Sequence, residues 1–422
     1  MGRTARDNRD LPHPRPVEKI QLSDEHVGRR LAATVILLVI GAAALAYAFA
    51  QMAAPESGWQ TIEASTAQGP SLSGELTLLY ELGTGEESPS AEGSAISALY
   101  SDACRTLYQL FHTTESFESV TNLRDLSLHP NETLTVDEVL YRALETVQRS
   151  GDRTIYLGPV YERYNGLFSC QTDEERAAFD PRLSADVARE YETLAAYARD
   201  QSAIDLRLLE DQQVCLYVSE DYLAFARREG VERFLDFGWL KNAFVVDAVA
   251  EQMMEAGFTH GVISSYDGFQ RNLDSRETAY GQNVLDYADG TLYTAAVLSY
   301  QGPRSMVCLR NFAVEELDGH RICRLESGEM RTTYLSPEDG LCRSAVHDLI
   351  GYSQELGCGE TALKLAPVYV AETLDPGALE GLAREGIQSV YCKDWVIHAT
   401  EPDVEITQLY EGDEVRYSVS LS

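Results

Sequence analysis

A run of twenty residues without a charged side chain, residues 31–50, constrains this sequence more than any other feature. A helix rises about 1.5 Å per residue, so a helix of this length can cross the hydrocarbon core of a bilayer. Residues 1–30 contain seven Lys or Arg, whereas residues 31–100 contain none. Because basic residues remain on the cytoplasmic side, the sequence predicts a cytoplasmic leader (1–30), one transmembrane helix (31–50) as a membrane anchor, and an extracytoplasmic remainder of a single-pass cell-membrane protein.

The same run also fits a cleaved secretory signal, because Ala48, Phe49 and Ala50 match a small-x-small cleavage site. A mature N-terminus at Ser57 or a neighbouring residue would favour this alternative.

Acidic residues dominate the chain, since 67 Asp and Glu stand against 34 Lys and Arg, giving a formal net charge of −33 at pH 7. Most of the surface must therefore repel a polyanion, and we expect no nucleic-acid partner. The eight cysteines form no C-x-x-C motif, so neither a zinc ribbon nor a thioredoxin-type redox pair is indicated. An exported domain can form disulfide bonds, so they remain an alternative, but we expect mostly buried thiols.

Composition divides the remainder into three parts. Residues 51–73 are rich in Ala, Ser, Gly and Gln and predict a flexible stalk. Residues 74–400 form the predicted folded domain, and residues 401–422 a C-terminal tail.

Helix-like and strand-like patterns are mixed in this domain, which predicts an α/β (α+β) fold of mixed sheets and packed helices. Apolar spacings of three and four predict helices from residue 94 and at residues 134–151, 185–199, 221–229, 347–357 and 376–386. Short β-rich runs predict a hairpin at residues 204–219 and strands at residues 74–82, 258–268, 291–300, 304–317, 366–375 and 389–400.

Residues 234–257, FLDFGWLKNAFVVDAVAEQMMEAG, begin like a buried strand, turn at Gly238 and continue as a helix to Gly257. Lys241, at the start of this predicted helix, is one of only four lysines in the chain.

This segment resembles the D-L-G-G-I-A-K-G-Y-A-V-D motif of the FAD:protein FMN transferase family, often called ApbE. Asp236, Gly238, Lys241 and Asp247 match the motif. GHRICRLESG is similar to the family's H-H-I-I-D-P-R-T-G, with His320, Ile322 and Gly328 retained and Ser327 in the place of Thr. The resemblance extends over residues 94–400, and it predicts a flavin-transferase-like domain.

The resemblance implies an enzyme that binds FAD, breaks its diphosphate with the help of magnesium and transfers FMN to a Thr or Ser of a partner protein. It implies cofactor binding by Asp236, Gly238, Lys241, Ser327 and Gly328. His320 and His347 are the candidate catalytic residues, with structural hydrogen bonding as the alternative role. Asp348 is the candidate metal ligand.

Several positions depart from the family pattern. Trp239 and Asn242 replace glycines, Tyr266 and Asp267 stand where the family tends to have Gly-Gly, and Arg321 and Arg324 replace a His and an Asp. Bulky and basic side chains at these places predict impaired or lost FMN transfer and a binding or scaffolding role. One alternative is an active transferase whose metal ligands have moved to Asp348, Asp339 or Glu338; another is a structural protein of the cell envelope.

Overall fold

The computed structural model describes residues 57–67, 69–85, 87–400, 404–413 and 415–421. The predicted leader and transmembrane helix, residues 1–50, lie outside this part. Among the described residues, no helix is both long enough and apolar enough to cross a membrane. The predictions of a membrane anchor and of a single-pass membrane location are therefore corrected: the structure does not support them.

The described residues contain helices and strands in mixed order. The α-helices are α1 (Pro89–Leu110), α2 (Leu123–Leu128), α3 (Glu138–Ser150), α4 (Gly158–Tyr164), α5 (Asp173–Arg176), α6 (Ala185–Arg199), α7 (Glu220–Glu229), α8 (Lys241–Glu255), α9 (Cys358–Tyr369) and α10 (Pro376–Arg384). Short 3₁₀ segments are Leu72–Gly74, Thr154–Leu157, Asn165–Ser169, Gly238–Leu240 and Glu316–His320. The strands are β1 (Gly58–Ile62), β2 (Leu76–Leu82), β3 (Thr133–Thr135), β4 (Ile204–Leu208), β5 (Gln213–Val218), β6 (Gly261–Ser265), β7 (Phe269–Asn272), β8 (Ala279–Ala288), β9 (Thr291–Gln301), β10 (Arg304–Arg310), β11 (Ile322–Arg324), β12 (Met330–Thr332), β13 (Asp348–Ser353), β14 (Gln388–Lys393), β15 (Val396–Ala399), β16 (Glu405–Thr407) and β17 (Ser418–Leu421).

A nine-stranded sheet forms the centre of the fold, in the order β1-β2-β6-β7-β10-β13-β14-β15-β17. Its neighbours are antiparallel except β15 and β17, which run parallel. Two three-stranded sheets, β16-β9-β8 and β3-β5-β4, and the β11-β12 hairpin accompany it.

The two faces of the central sheet bury different cores. Helices α8 and α9 pack against β7 and β10 on one face, within the larger core. On the other face, β8 and β9 cover β13 and β14 with a smaller core that includes Met306, Ile350 and Val390. Strand β13 is consequently buried along its whole length.

Several predicted elements are confirmed with shifted ends. Helix α6 has the predicted bounds, and the predicted hairpin at residues 204–219 is β4 and β5. The helix predicted from residue 134 begins at Glu138, because the Asp137 side chain accepts a hydrogen bond from the Val139 N–H and caps it. It ends at Gly151, as predicted, in the left-handed conformation.

Three predicted elements are wrong. Residues 347–357, predicted as a helix, contain β13, and the strand predicted at residues 366–375 begins inside α9. No strand forms at Phe234, because the N–H groups of Phe234 and Leu235 donate to Ser127 Oγ instead of a sheet neighbour. The predicted last strand, residues 389–400, is the β14-β15 hairpin.

The ends of the folded region also differ from the prediction. Within the predicted stalk, residues 51–73, β1 pairs with β2 and forms one edge of the central sheet. Within the predicted tail, residues 401–422, β17 forms the other edge and β16 pairs with β9.

Candidate ligand-binding cavity

The loop before α8 is shaped by one carboxylate and one glycine. Asp236 Oδ1 accepts a hydrogen bond from the Gly238 N–H at 2.8 Å, and Gly238 adopts a left-handed φ of +53°. A Cβ atom at Gly238 would collide with the Tyr161 ring, so only glycine fits both the backbone and the space. The 3₁₀ turn and then α8 follow, which places Trp239 and Lys241 beside Asp236.

These residues line a cavity of about 450 Å³, called the Trp239 cavity below. Its volume lies within the range of roughly 300–1,000 Å³ typical of small-molecule sites. Aromatic rings form much of its wall: Tyr108, Phe111, Tyr161, Trp239, Tyr266, Phe269 and Tyr334. Its charged side chains are three acids and three bases: Glu75, Asp236, Asp267, Arg233, Lys241 and Arg321.

Lys241 is held by a carboxylate from a distant part of the chain. Its Nζ lies 3.0 Å from Oε1 and 2.8 Å from Oε2 of Glu75. The Asn242 side-chain amide donates to Glu75 Oε2 and to Asp267 Oδ2, both at 3.1 Å. One network therefore joins the start of α8 to the residues before β2 and after β6.

Arg321 belongs to a second, deeper network. Its Nε donates to Oδ1 of the fully buried Asp318 at 2.8 Å, and another guanidinium nitrogen donates to the Tyr334 hydroxyl at 3.0 Å. Arg310 donates to both oxygens of Asp318 at 3.2 Å. Burial alone would raise the pKa of Asp318, but the Arg321 and Arg310 guanidinium groups lower that pKa below its usual value.

Burial has the largest effect on the pKa of two other carboxyls of the wall, Asp236 before α8 and Asp267 after β6. It raises the pKa of Asp236, although the Arg233 guanidinium lies 3.3 Å from Oδ2 and opposes the shift. Burial likewise raises the pKa of Asp267, against the positive charge of Arg321. Both carboxyls are therefore easier to protonate than in water.

Several buried polar atoms of this wall have no hydrogen-bond partner among the described residues. They include the Tyr161 hydroxyl, Arg233 Nε, Trp239 Nε1, Asn242 Oδ1 and Asp267 Oδ1. A buried polar group without a partner costs about 1–3 kcal/mol, so a ligand that pairs with these atoms would recover part of that cost.

The structure places the sequence-predicted site residues in three places. Asp236, Gly238, Lys241 and His320 line the Trp239 cavity together. Ser327 is exposed on the hairpin between β11 and β12, and Gly328 follows it with a φ of +91°; neither lines that cavity. Arg324, on the same hairpin, donates to the Tyr287 hydroxyl at 3.2 Å.

His347 lines a different cavity of about 540 Å³, called the His347 cavity below, together with Asp286, Tyr287, Asp289 and Trp395. Its Nδ1 lies 2.9 Å from Asn311 Oδ1, and burial lowers the pKa of the imidazole. His320 and His347 therefore do not share a site.

Asp348, the candidate metal ligand, is a buried carboxyl of β13. Burial raises its pKa to about 7, and the nearby Asp286 carboxylate adds to the shift. Its Oδ2 accepts from the Leu285 N–H at 3.3 Å, while Asp286 accepts from the Tyr417 hydroxyl at 2.8 Å.

The residues do not fit a magnesium site. Across the described part of the chain, no group of three or more His, Cys, Asp or Glu could hold a metal ion. The two other carboxylates that the sequence offers as metal ligands, Asp339 and Glu338, already have basic partners. Arg343 binds Asp339 through two hydrogen bonds, and Glu338 pairs with Arg199.

Sequence reasoning missed Glu75, Arg233 and Tyr161 as members of the cavity. Glu75 lies 166 residues before its partner Lys241, at a place where no motif marks it. A signal did exist in Gly238, since a glycine at a turn indicates either a positive φ or a close neighbour, and here both are present, with Tyr161 as the neighbour.

Asp247, the last residue of the motif, has a structural role. Its carboxylate accepts hydrogen bonds from the Cys358 and Gly359 N–H groups, both at 2.8 Å, at the first turn of α9. Arg271 on β7 also donates to it at 2.9 Å. Asp247 thereby joins α8, α9 and the central sheet.

Comparison with solved structures shows that the fold is similar to that of ApbE flavin transferases. The chain superimposes on the ApbE protein of Thermotoga maritima with a TM-score of 0.55 and 11% identity, covering 84% of this chain and 97% of that one. It superimposes on the flavin transferase ApbE of Vibrio cholerae with a TM-score of 0.51 and 11% identity, covering 80% and 94%. The predicted flavin-transferase-like fold is therefore confirmed.

Two comparisons at the level of sequence find no match. No protein-family model matches the chain, and no curated protein matches it significantly.

Proposed function

We propose that this protein binds a flavin in the Trp239 cavity and does not catalyse magnesium-dependent FMN transfer. Two observations support flavin as the ligand: the fold is that of flavin transferases, and aromatic rings line a cavity that can receive a planar heterocycle. Asp236, Gly238 and Lys241 lie at this cavity, as the resemblance implies for cofactor-binding residues.

One observation carries the second half of the proposal. Five residues that depart from the family pattern line the same cavity: Trp239, Asn242, Tyr266, Asp267 and Arg321. They were found separated along the sequence, yet they meet in space.

These replacements contact one another or shared partners. Asn242 donates to Asp267, the Arg321 guanidinium lies 6.0 Å from the centre of the Tyr266 ring, and both Trp239 and Arg321 contact Tyr334. Because the replaced residues form one connected set, they support the proposal that this cavity is adapted to a different use. Random loss of function would leave isolated clashes and unpaired charges instead.

The carboxylates of the wall give further support for lost transfer. Glu75 is engaged by Lys241 and Asn242, and Asp236 by Arg233 and the Gly238 N–H. Magnesium requires several oxygen ligands in octahedral arrangement, and these oxygens already serve internal partners.

Equilibrium dialysis of the protein with riboflavin, FMN and FAD, with and without Mg²⁺, tests the proposal. We expect binding of at least one flavin, no effect of Mg²⁺ on its affinity, and no release of AMP from FAD. Release of AMP that depends on Mg²⁺ would overturn the loss of transfer. Absence of binding to all three flavins would overturn the flavin site and favour the structural role.

Tryptophan fluorescence locates the bound flavin. The chain has three tryptophans, Trp59, Trp239 and Trp395, and only Trp239 lines the cavity. We expect flavin to quench the emission of the wild type and of Trp395→Phe, and to leave the emission of Trp239→Phe nearly unchanged. Loss of quenching in Trp395→Phe instead would place the flavin in the His347 cavity.

A further inference from the structure

We infer that the ligand of the Trp239 cavity is an uncharged flavin of the riboflavin type, and that phosphorylated flavins bind less tightly. This inference rests on the proposed flavin site and names the class of ligand that the site accepts. It follows from how the charges of the wall are paired.

Each basic side chain of the wall already has an acidic partner. Glu75 binds Lys241 through both oxygens, Asp236 accepts from Arg233 at 3.3 Å, and Asp318 binds Arg321 from beneath the wall. A phosphate group would have to displace one of these carboxylates, because it needs cations or N–H donors of its own.

The count of charges points the same way. The lining contains three carboxyl and three basic side chains, and behind them Asp318 and Arg310 add one charge of each sign. Phosphate oxygens would therefore meet a surface without excess positive charge, and Coulomb repulsion from Glu75 and Asp267 would act at short range.

Glu75 also occupies the position in which a ligand anion would otherwise be favoured. The N-terminus of a helix attracts negative charge, and α8 begins at the cavity with Lys241 and Asn242. The side chains of both residues bind the Glu75 carboxylate. The chain thus supplies its own anion to this end of α8.

One of the unpaired polar atoms requires a hydrogen-bond donor from the ligand. Asn242 Oδ1 accepts hydrogen bonds only, so it is complemented by a hydroxyl or N–H donor and not by a phosphate oxygen. An uncharged flavin carries a ring N–H and several ribityl hydroxyls, whereas the planar ring system matches the aromatic wall.

The test is a fluorescence titration of the full chain with riboflavin, FMN and FAD at low ionic strength. We expect riboflavin to bind about tenfold or more tightly than FMN and FAD, a difference of about 1.4 kcal/mol. Tighter binding of FMN or FAD than of riboflavin would overturn the inference and leave the proposed flavin site intact. No binding of any flavin would overturn both.

Glu75→Gln is the decisive variant. It releases Lys241 and removes a negative charge, so we expect the affinity for FMN to rise about tenfold while that for riboflavin changes less than about twofold. The matched control is Glu81→Gln, on the strand β2 that follows Glu75, where the carboxylate pairs with Arg276 outside the cavity. This control should leave the order of affinities unchanged.

A salt titration of the wild type keeps the inference open to refutation if Glu75→Gln does not fold. Because added salt screens the repulsion between a phosphate and the carboxylates of the wall, the affinity for FMN should rise with ionic strength, while that for riboflavin changes less than about twofold. A fall in the affinity for FMN with added salt would show that a cation of the wall binds the phosphate, which would contradict the inference.

Discussion

The Trp239 cavity and the His347 cavity are similar in size and in their mixture of aromatic, acidic and histidine side chains, but they hold charge differently. At the Trp239 cavity, carboxylates are paired with Lys241, Arg233 and Arg321. At the His347 cavity, the described residues give Asp286 and the adjacent Asp348 hydroxyl and N–H donors, but no ion pair. Despite burial, the Arg321 and Arg310 guanidinium groups lower the pKa of Asp318, whereas burial without an ion pair raises the pKa of Asp348 to about 7.

Removal of one paired charge gives the largest expected effect. Arg321→Met leaves the fully buried Asp318 with one fewer cation, so we expect the free energy of unfolding to fall by about 3–5 kcal/mol. Urea unfolding measures the loss. The control is Arg384→Met, which breaks a 3.9 Å pair between exposed side chains and should cost less than about 1 kcal/mol. Equal losses in the two variants would contradict the role assigned to burial.

Strain at the Trp239 cavity should give the next largest effect. Gly238→Ala combines a left-handed backbone, costing about 1–2 kcal/mol, with a collision against Tyr161, costing about 1–3 kcal/mol. We expect a total loss of about 2–5 kcal/mol in urea unfolding. Gly257→Ala, after the end of the same helix, has a similar φ but open space at its Cβ and should lose only the backbone part. A loss at Gly238 no larger than at Gly257 would show that Tyr161 moves aside freely.

The unpaired carboxyl predicts a dependence of stability on pH. The folded-state pKa of Asp348 is raised to about 7 from an ordinary value of 3.8, so the folded state keeps its proton longer than the unfolded state. Stability from this group is present below the ordinary value and is lost as pH rises toward about 7. We expect Asp348→Asn to be more stable than the wild type at pH 8, by about 1–3 kcal/mol, and to be close to it near pH 4.

Thermal or urea unfolding across this pH range measures that difference. Asp289→Asn, an exposed carboxylate of the same cavity in a turn that Asn tolerates, is the control and should follow the wild type. An Asp348→Asn variant with the full pH dependence of the wild type would place the titration on another group.

The smallest effect is expected at the hairpin that the structure places outside the Trp239 cavity. Ser327→Ala removes an exposed hydroxyl whose hydrogen bond is local, to the Glu329 N–H at 3.3 Å. We expect the affinity for riboflavin to change less than about twofold, since a comparably exposed polar contact contributes little. A loss of about tenfold would mean that the β11-β12 hairpin covers the bound ligand, as the sequence predicts for Ser327 and Gly328.

The sequence located the Trp239 cavity through a local motif. Asp236, Gly238 and Lys241 lie within six residues, so a turn followed by a helix brings them together without knowledge of the rest of the fold. Glu75 and Tyr161 could not be found in this way, because only the pairing of β2 with β6 and the packing of α4 bring them to the same place.

The errors around β13 have a physical reason. Residues 348–353 are buried on both faces, so the strand lacks the alternation of polar and apolar residues that marks a half-exposed strand. Helix α9 was missed because Gly357, Gly359 and Pro367 are typical of helix ends, yet burial stabilises a helix that contains Pro367. Tertiary packing therefore outweighed local propensity in both elements. His347 and Asp348 lie outside the lining of the Trp239 cavity.

The carboxylate of Asp247 has a consequence for inorganic ions as well as for flavins. Its two oxygens accept hydrogen bonds from the first two N–H groups of α9, and it also pairs with Arg271. These two N–H groups are therefore not available to bind sulfate or phosphate from the solvent. The same hydrogen bonds that occupy these amides also hold two helices to the central sheet.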